Sequence, residues 1–164
     1  MKKTLLFALI PLLALAGTIT RTIRFDARDL RIEQANGYDV VQMADFITTL
    51  EPGKPMMPAA VFNVVIPATA TVTDIRVTPL EPEEIPGNWR IHPVQTPVPV
   101  SSRTQPPFVP PDPATYSSSE PYPAELVQWS RTGTKSEFRI CGFILHPLVY
   151  IPAQGKLTLY RKMK

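Results

Sequence analysis

An all-β antiparallel sandwich, jelly-roll-like and built of about eight to ten short strands with one long proline-rich loop, is the architecture the 164-residue sequence predicts. Three observations carry it. Apolar and polar residues alternate at period two in several runs, which marks strands with one face on a core and one in water. An Asn-Gly pair separates two of those runs. No long amphipathic helical pattern follows the first sixteen residues.

Those first residues stand apart. Met1, Lys2 and Lys3 form a basic start, Leu5 to Leu15 is apolar apart from Pro11, and Ala14-Leu15-Ala16 makes an Ala-x-Ala site. Residues 1–16 read as a secretory signal peptide, too short in its apolar core to span a bilayer. A secreted or extracytoplasmic protein with no membrane span after cleavage is expected. Gly17 rather than a cysteine stands directly after the site, which argues against a lipid anchor. Residues 17–164 then suit a single domain, and hold 15 basic against 14 acidic residues. No basic stripe interleaved with aromatics is present, so no nucleic-acid partner is expected.

The elements follow in order. Ile23 and Phe25 alternate with Arg24 and Asp26, and Leu30 and Ile32 with Arg31 and Glu33. Asn36-Gly37 tolerates positive φ at both turn positions and predicts a hairpin between Leu30–Gln34 and Tyr38–Met43. The segment Pro52-Gly53-Lys54-Pro55-Met56-Met57-Pro58 excludes a helix. It reads as a rigid extended lead-in to a short buried strand at Val64–Ile66, stopped by Pro67. Ile75 and Val77 alternate with Asp74 and Arg76, a further strand. Ile140 to Leu145 is apolar on both faces and suits a central strand covered on both sides. Leu157 and Leu159 alternate with Lys156, Thr158 and Tyr160.

Thirteen of the 20 prolines fall between Pro79 and Pro123. Within that span Val94 to Pro113 is almost continuous Pro, Val, Ser and Thr, carrying Arg103 and Phe108. Each proline removes a ladder donor, so this is no central strand. Residues 94–123 read as a long, semi-rigid, extended loop over the sandwich, and loops of that length are usually functional or disordered.

Catalytic chemistry is not expected. Cys141 is the single cysteine, so no intramolecular disulfide forms, and its apolar strand makes it a small buried hydrophobe rather than a thiolate. His92 and His146 each precede a proline, with no metal-ligand spacing to one another or to Cys141. There is no Ser-His-Asp set and no phosphate loop. The sequence therefore offers no catalytic residue, metal site or cofactor.

The ordered series of motifs resembles the N-terminal propeptide domain of gingipain-type secreted cysteine peptidases. A Pro-Gly-x-Pro-x-x-Pro segment (Pro52, Gly53, Pro55, Pro58) precedes a Val-rich strand ending in proline (Val64 to Pro67), followed by Ala70 and Val72. Then come His92-Pro93, Tyr116, the pair Tyr122-Pro123, Ile144-Leu145-His146-Pro147, Tyr150-x-Pro152 and a last strand, Leu157 to Tyr160. The resemblance spans roughly residues 22–162. Met57 stands where the family tends to have Leu, and Gly142 interrupts the late strand.

The resemblance implies a non-catalytic propeptide. It would assist folding of a cysteine peptidase domain and keep it latent, in cis or in trans. The family's catalytic His and Cys lie in a further domain past the equivalent of Lys164. Arg103, flanked by Ser102 and Thr104, is the basic side chain of the loop and the candidate for a specificity pocket; a solvated loop arginine is the alternative. Arg161 and Lys162 are a candidate processing point, with a charged strand end as the alternative. A free-standing extracellular binding or adhesion module is the competing function, with Phe108, Tyr116 and Tyr122 lining its surface.

Overall fold

The computed structural model describes residues 17–99, 101 and 106–164. The signal-peptide reading of residues 1–16, and the loop residues Ser102, Arg103 and Thr104, fall outside them. The described residues contain ten strands, one short α-helix and two single-turn 3-10 helices, at Ala27–Asp29 and Pro152–Gln154. The strands and the α-helix are β1 (Ile23–Arg24), β2 (Leu30–Ala35), β3 (Tyr38–Met43), β4 (Ile47–Thr48), β5 (Pro58–Ile66), β6 (Pro79–Ile85), α1 (Pro113–Tyr116), β7 (Val127–Lys135), β8 (Phe138–Leu145), β9 (Leu148–Ile151) and β10 (Lys156–Met163).

Every strand pair is antiparallel. β10 is the hub of one sheet, pairing β6 along one edge and β9 and β1 along the other. A second sheet runs β4-β5-β8-β7, and β2 and β3 form a separate hairpin. All three converge on one cluster that joins Phe25, Val41, Met57, Leu145, Tyr150, Leu157 and Met163. Burying each large apolar side chain there stabilises by about 1.5–3 kcal/mol, which is how a chain without a disulfide holds together.

Where local chemistry dictates the element, sequence and structure agree. Asn36 and Gly37 have φ of 56° and 78°, and the register runs from Ala35↔Tyr38 to Leu30↔Met43. In β10, Leu157, Leu159 and Met163 are buried. Lys156, Arg161 and Lys162 reach across to Glu84, Glu83 and Glu81 of β6 at 2.6, 3.4 and 3.5 Å. These exposed pairs set register more than stability, each being worth about 0–1 kcal/mol.

Four expectations are corrected. Asp74–Val77 forms no strand; the ladder starts instead at Pro79. β6 carries Pro79 and Pro82 because, among the described residues, it pairs with β10 alone, so the missing N–H groups belong to an open edge. The strand after the Pro-rich lead-in starts at Pro58 rather than Val64. β8 is central in its sheet, yet Ile140 and Ile144 remain half-exposed and the facing Val61 and Val65 are exposed, so only one face is fully covered. Finally, the proline-rich loop holds α1, started by the Asp112 side chain accepting the Thr115 N–H with Pro113 at the first helical position.

Both of the histidines are buried. His146 lies at the β8–β9 junction, and neither ring nitrogen has a hydrogen-bond partner. Burial pushes its pKa below the ordinary 6.5. The folded state therefore resists a proton that the unfolded chain accepts. Stability is unaffected well above pH 6.5 and declines as the pH falls from about 6.5 to the depressed folded value. The limiting slope is about 1.4 kcal/mol per pH unit for one proton. Thermal melts stepped downward from neutral pH should show Tm falling in this window, and His146→Leu should flatten the slope. Equal slopes in the two proteins would exclude His146 as the cause.

Candidate functional site

The proline-rich loop is held by its two stems, and both stems close on one turn. The incoming stem is residues 88–95, an extended segment of which Ile91 to Val94 are buried. Its backbone pairs with β3 through Asp39 N–H to Arg90 O at 2.8 Å and His92 N–H to Asp39 O at 2.9 Å. The buried Asp39 carboxylate also accepts the Arg90 N–H at 2.7 Å. On the other side Met56 N–H donates to His92 O at 2.9 Å. Ile91 and Pro93 are fully buried, and Val94 nearly so.

Gly53 joins that stem to the outgoing one. Its N–H donates to Val94 O at 2.9 Å, and its carbonyl accepts the Asp112 N–H at 2.9 Å. Lys54 continues the pairing by accepting the Val94 N–H at 2.8 Å. Its ammonium donates to the Asp112 carboxylate and to Thr115 Oγ1, both at 2.7 Å. The turn requires glycine, because φ at Gly53 is +82° and an added Cβ would lie 3.4 Å from Pro110 O. The Lys54 hydrogen bond, then those from Thr115, hold the Asp112 carboxyl down to about 2 from 3.8. The same bond raises the Lys54 pKa.

A second closure lies one residue outward. Gln95 Nε2 donates to Pro93 O at 2.9 Å and to Val109 O at 3.1 Å, while Gln95 Oε1 accepts the Val109 N–H at 2.9 Å. Gln95 and Val109 thus form a neck that joins the two stems of the loop. Phe108 packs the base of the loop: its ring stacks on Tyr38 at 6.0 Å and meets His92 edge-on at 5.8 Å. The Arg90 guanidinium covers Tyr38 at 4.6 Å from the ring centre. Tyr116, whose pKa burial pushes up, donates its hydroxyl to Ile91 O at 2.7 Å.

A cavity of about 520 Å³ beside α1 is lined by Trp89, Arg90, Tyr116 and Tyr150, without carboxylate, thiol or imidazole. Its two phenols are committed to the Ile91 and Trp89 carbonyls. Cys141 is buried in β8. Among the described residues no group of three or more His, Cys, Asp or Glu is placed to hold a metal.

The sequence-derived candidates fare unequally. Arg103, Ser102 and Thr104 lie beyond the neck, outside the described residues. Arg161 and Lys162 sit inside β10, with Arg161 O accepting the Phe25 N–H at 2.9 Å and Lys162 registered against both Arg24 and Leu80. Their backbone is already occupied by neighbouring strands. Of the three aromatics, Phe108 is partly exposed yet packs the loop base on Tyr38 and His92, Tyr116 bonds the Ile91 carbonyl, and Tyr122 exchanges backbone hydrogen bonds of 2.8 Å with Tyr150. Sequence reasoning missed Lys54, Gln95 and Asp112. Only Asp112 carried a signal, as an Asp-Pro helix start.

Known proteins bear on this geometry. The Propeptide_C25 family model matches residues 19–164. The structure of the complex of Porphyromonas gingivalis RgpB pro- and mature domains superimposes with a TM-score of 0.68, at 17% identity, over 87% of this chain and 74% of that one. A structure describing the zymogenic latency of gingipain K from Porphyromonas gingivalis gives a TM-score of 0.65, at 21% identity, over 87% and 95% of the two chains. No curated protein matches the chain.

Two outcomes are expected at the turn. Gly53→Ala should destabilise the domain by about 1–2 kcal/mol in urea unfolding, the strain of forcing a Cβ into left-handed backbone. Asp112→Asn should lower Tm relative to the native chain, fully above about pH 3.8, with the gap closing as pH falls through about 2. A gap independent of pH would mean that the ion pair is not what fastens the stem.

Proposed function

The chain belongs to the Propeptide_C25 family, a non-catalytic prodomain, and on that premise we propose that it assists folding of a gingipain-type cysteine peptidase and keeps it latent. It does so by placing the proline-rich loop at the active site, in cis or in trans. The observation that carries the proposal is the double closure of the loop, at Gly53 and at Gln95. Peptidases bind extended backbone as an added strand with a side chain in a pocket. A loop fixed at its root and stiffened by proline loses less entropy on docking than a free peptide.

In this reading Arg103 enters the specificity pocket, and Ser102 and Thr104 flank it with hydroxyls. The family's setting is secreted peptidases, which agrees with export by residues 1–16. Processing at Arg161 or Lys162 would follow release of β10, since a peptidase must take that backbone as its own strand.

The test is inhibition. Residues 17–164 are titrated into the mature RgpB domain and, separately, into the gingipain K catalytic domain. Inhibition of at least one is expected, and Arg103→Ala should weaken it at least tenfold with Tm unchanged. Undiminished inhibition would remove Arg103 from the pocket. Failure to inhibit either enzyme would sink the latency reading itself.

A further inference from the structure

We propose that Gln95 is a positioning residue for this inhibition, its carboxamide joining the two stems of the loop and so fixing where the described loop ends, residues 96–99 and 106–108, sit on the domain. The inference rests on the latency reading above.

The chemistry of the outgoing stem makes the case. From Pro106 to Pro111 four of six residues are proline, so only Phe108 and Val109 offer a backbone N–H before Asp112. The Gln95 side chain takes one of those two donors and the carbonyl of the same residue. Its third bond, to Pro93 O, fastens the carboxamide to a fully buried residue. The frame that holds Val109 is therefore continuous with the core. The task needs donors and an acceptor on one planar group of this length, which glutamine supplies and glutamate, a pure acceptor when ionised, does not.

Gln95 is also placed to aim the loop without supporting the fold. It is half-exposed and absent from the core cluster, and the Gly53 turn anchors both stems independently of it. Losing its bonds frees the Val109 backbone while Asp112 stays fastened, leaving the packing of the Phe108 ring on Tyr38 and His92 as the remaining hold on the outgoing end.

Three measurements on Gln95→Ala and Gln95→Glu test this: inhibition of the mature RgpB domain, or of gingipain K where that is the enzyme inhibited, hydrogen exchange at the Val109 amide in the free chain, and Tm. Both variants should inhibit at least tenfold less well with Tm unchanged, and the alanine variant should exchange Val109 at least tenfold faster. Glutamate fills the same volume, so a loss shared by both variants isolates hydrogen bonding from packing. Native inhibition in either variant overturns the positioning role. A loss that tracks a fall in Tm makes Gln95 a fold residue and overturns it too. A Val109 amide no faster in Gln95→Ala removes the neck itself. If the native chain inhibits neither enzyme, the latency reading fails and takes this inference with it.

Discussion

One residue governs the proline-rich loop: Gly53 receives both of its ends, Val94 on its N–H and Asp112 on its carbonyl. Sequence separations of about forty and sixty residues close there, and only a residue free to adopt φ near +82° makes the turn. Lys54 adds a charge-assisted pair to the same end, which is also the cap of α1. The sandwich serves as the abutment. The incoming stem is pinned between β3 and residues 54–56, and the outgoing stem is tied back by the Tyr116 hydroxyl. Remove the turn and the core cluster can persist, but the loop no longer has a root.

What was legible in the sequence was whatever depends on near neighbours. The β2–β3 hairpin follows from Asn36-Gly37 and alternation, and β10 from Leu157 and Leu159. The pattern misled where tertiary position overrides it. Pro79 and Pro82 argue against a strand, and only the edge location of β6, which no local pattern encodes, makes one acceptable. β7 lies almost wholly exposed along one edge, so Gln128, Ser130 and Thr134 show no alternation to read.

The site divides the same way. The stiffness of Pro52–Pro58 was visible, but its use as a fastening was not, because its partners lie far along the chain. Gln95 left no trace at all. A polar residue among prolines looks like loop filler until Val109 is seen beside it. The family resemblance was carried by an ordered series of prolines, tyrosines and strand ends, and the Propeptide_C25 match covers the same stretch.

Why such a loop needs a second closure is a question of magnitudes. Closing a loop scales with the logarithm of its length, so moving the closure from the Val94–Asp112 pair inward to Gln95–Val109 changes closure entropy by only a few tenths of a kcal/mol. That is too little to favour the arrangement. Ordering one residue costs about 1–2 kcal/mol, but Pro110 and Pro111 have φ fixed already, so little is left to order between the two closures. What remains unset by the prolines is ψ along the stem and hence the angle at which the loop departs. A small error there grows with every extended residue at roughly 3 Å apiece, and docking into a cleft tolerates far less. The side-chain bonds of Gln95, together with the packing of Phe108 on Tyr38 and His92, act on those angles, which would give a residue contributing little to folding its leverage on the proposed binding.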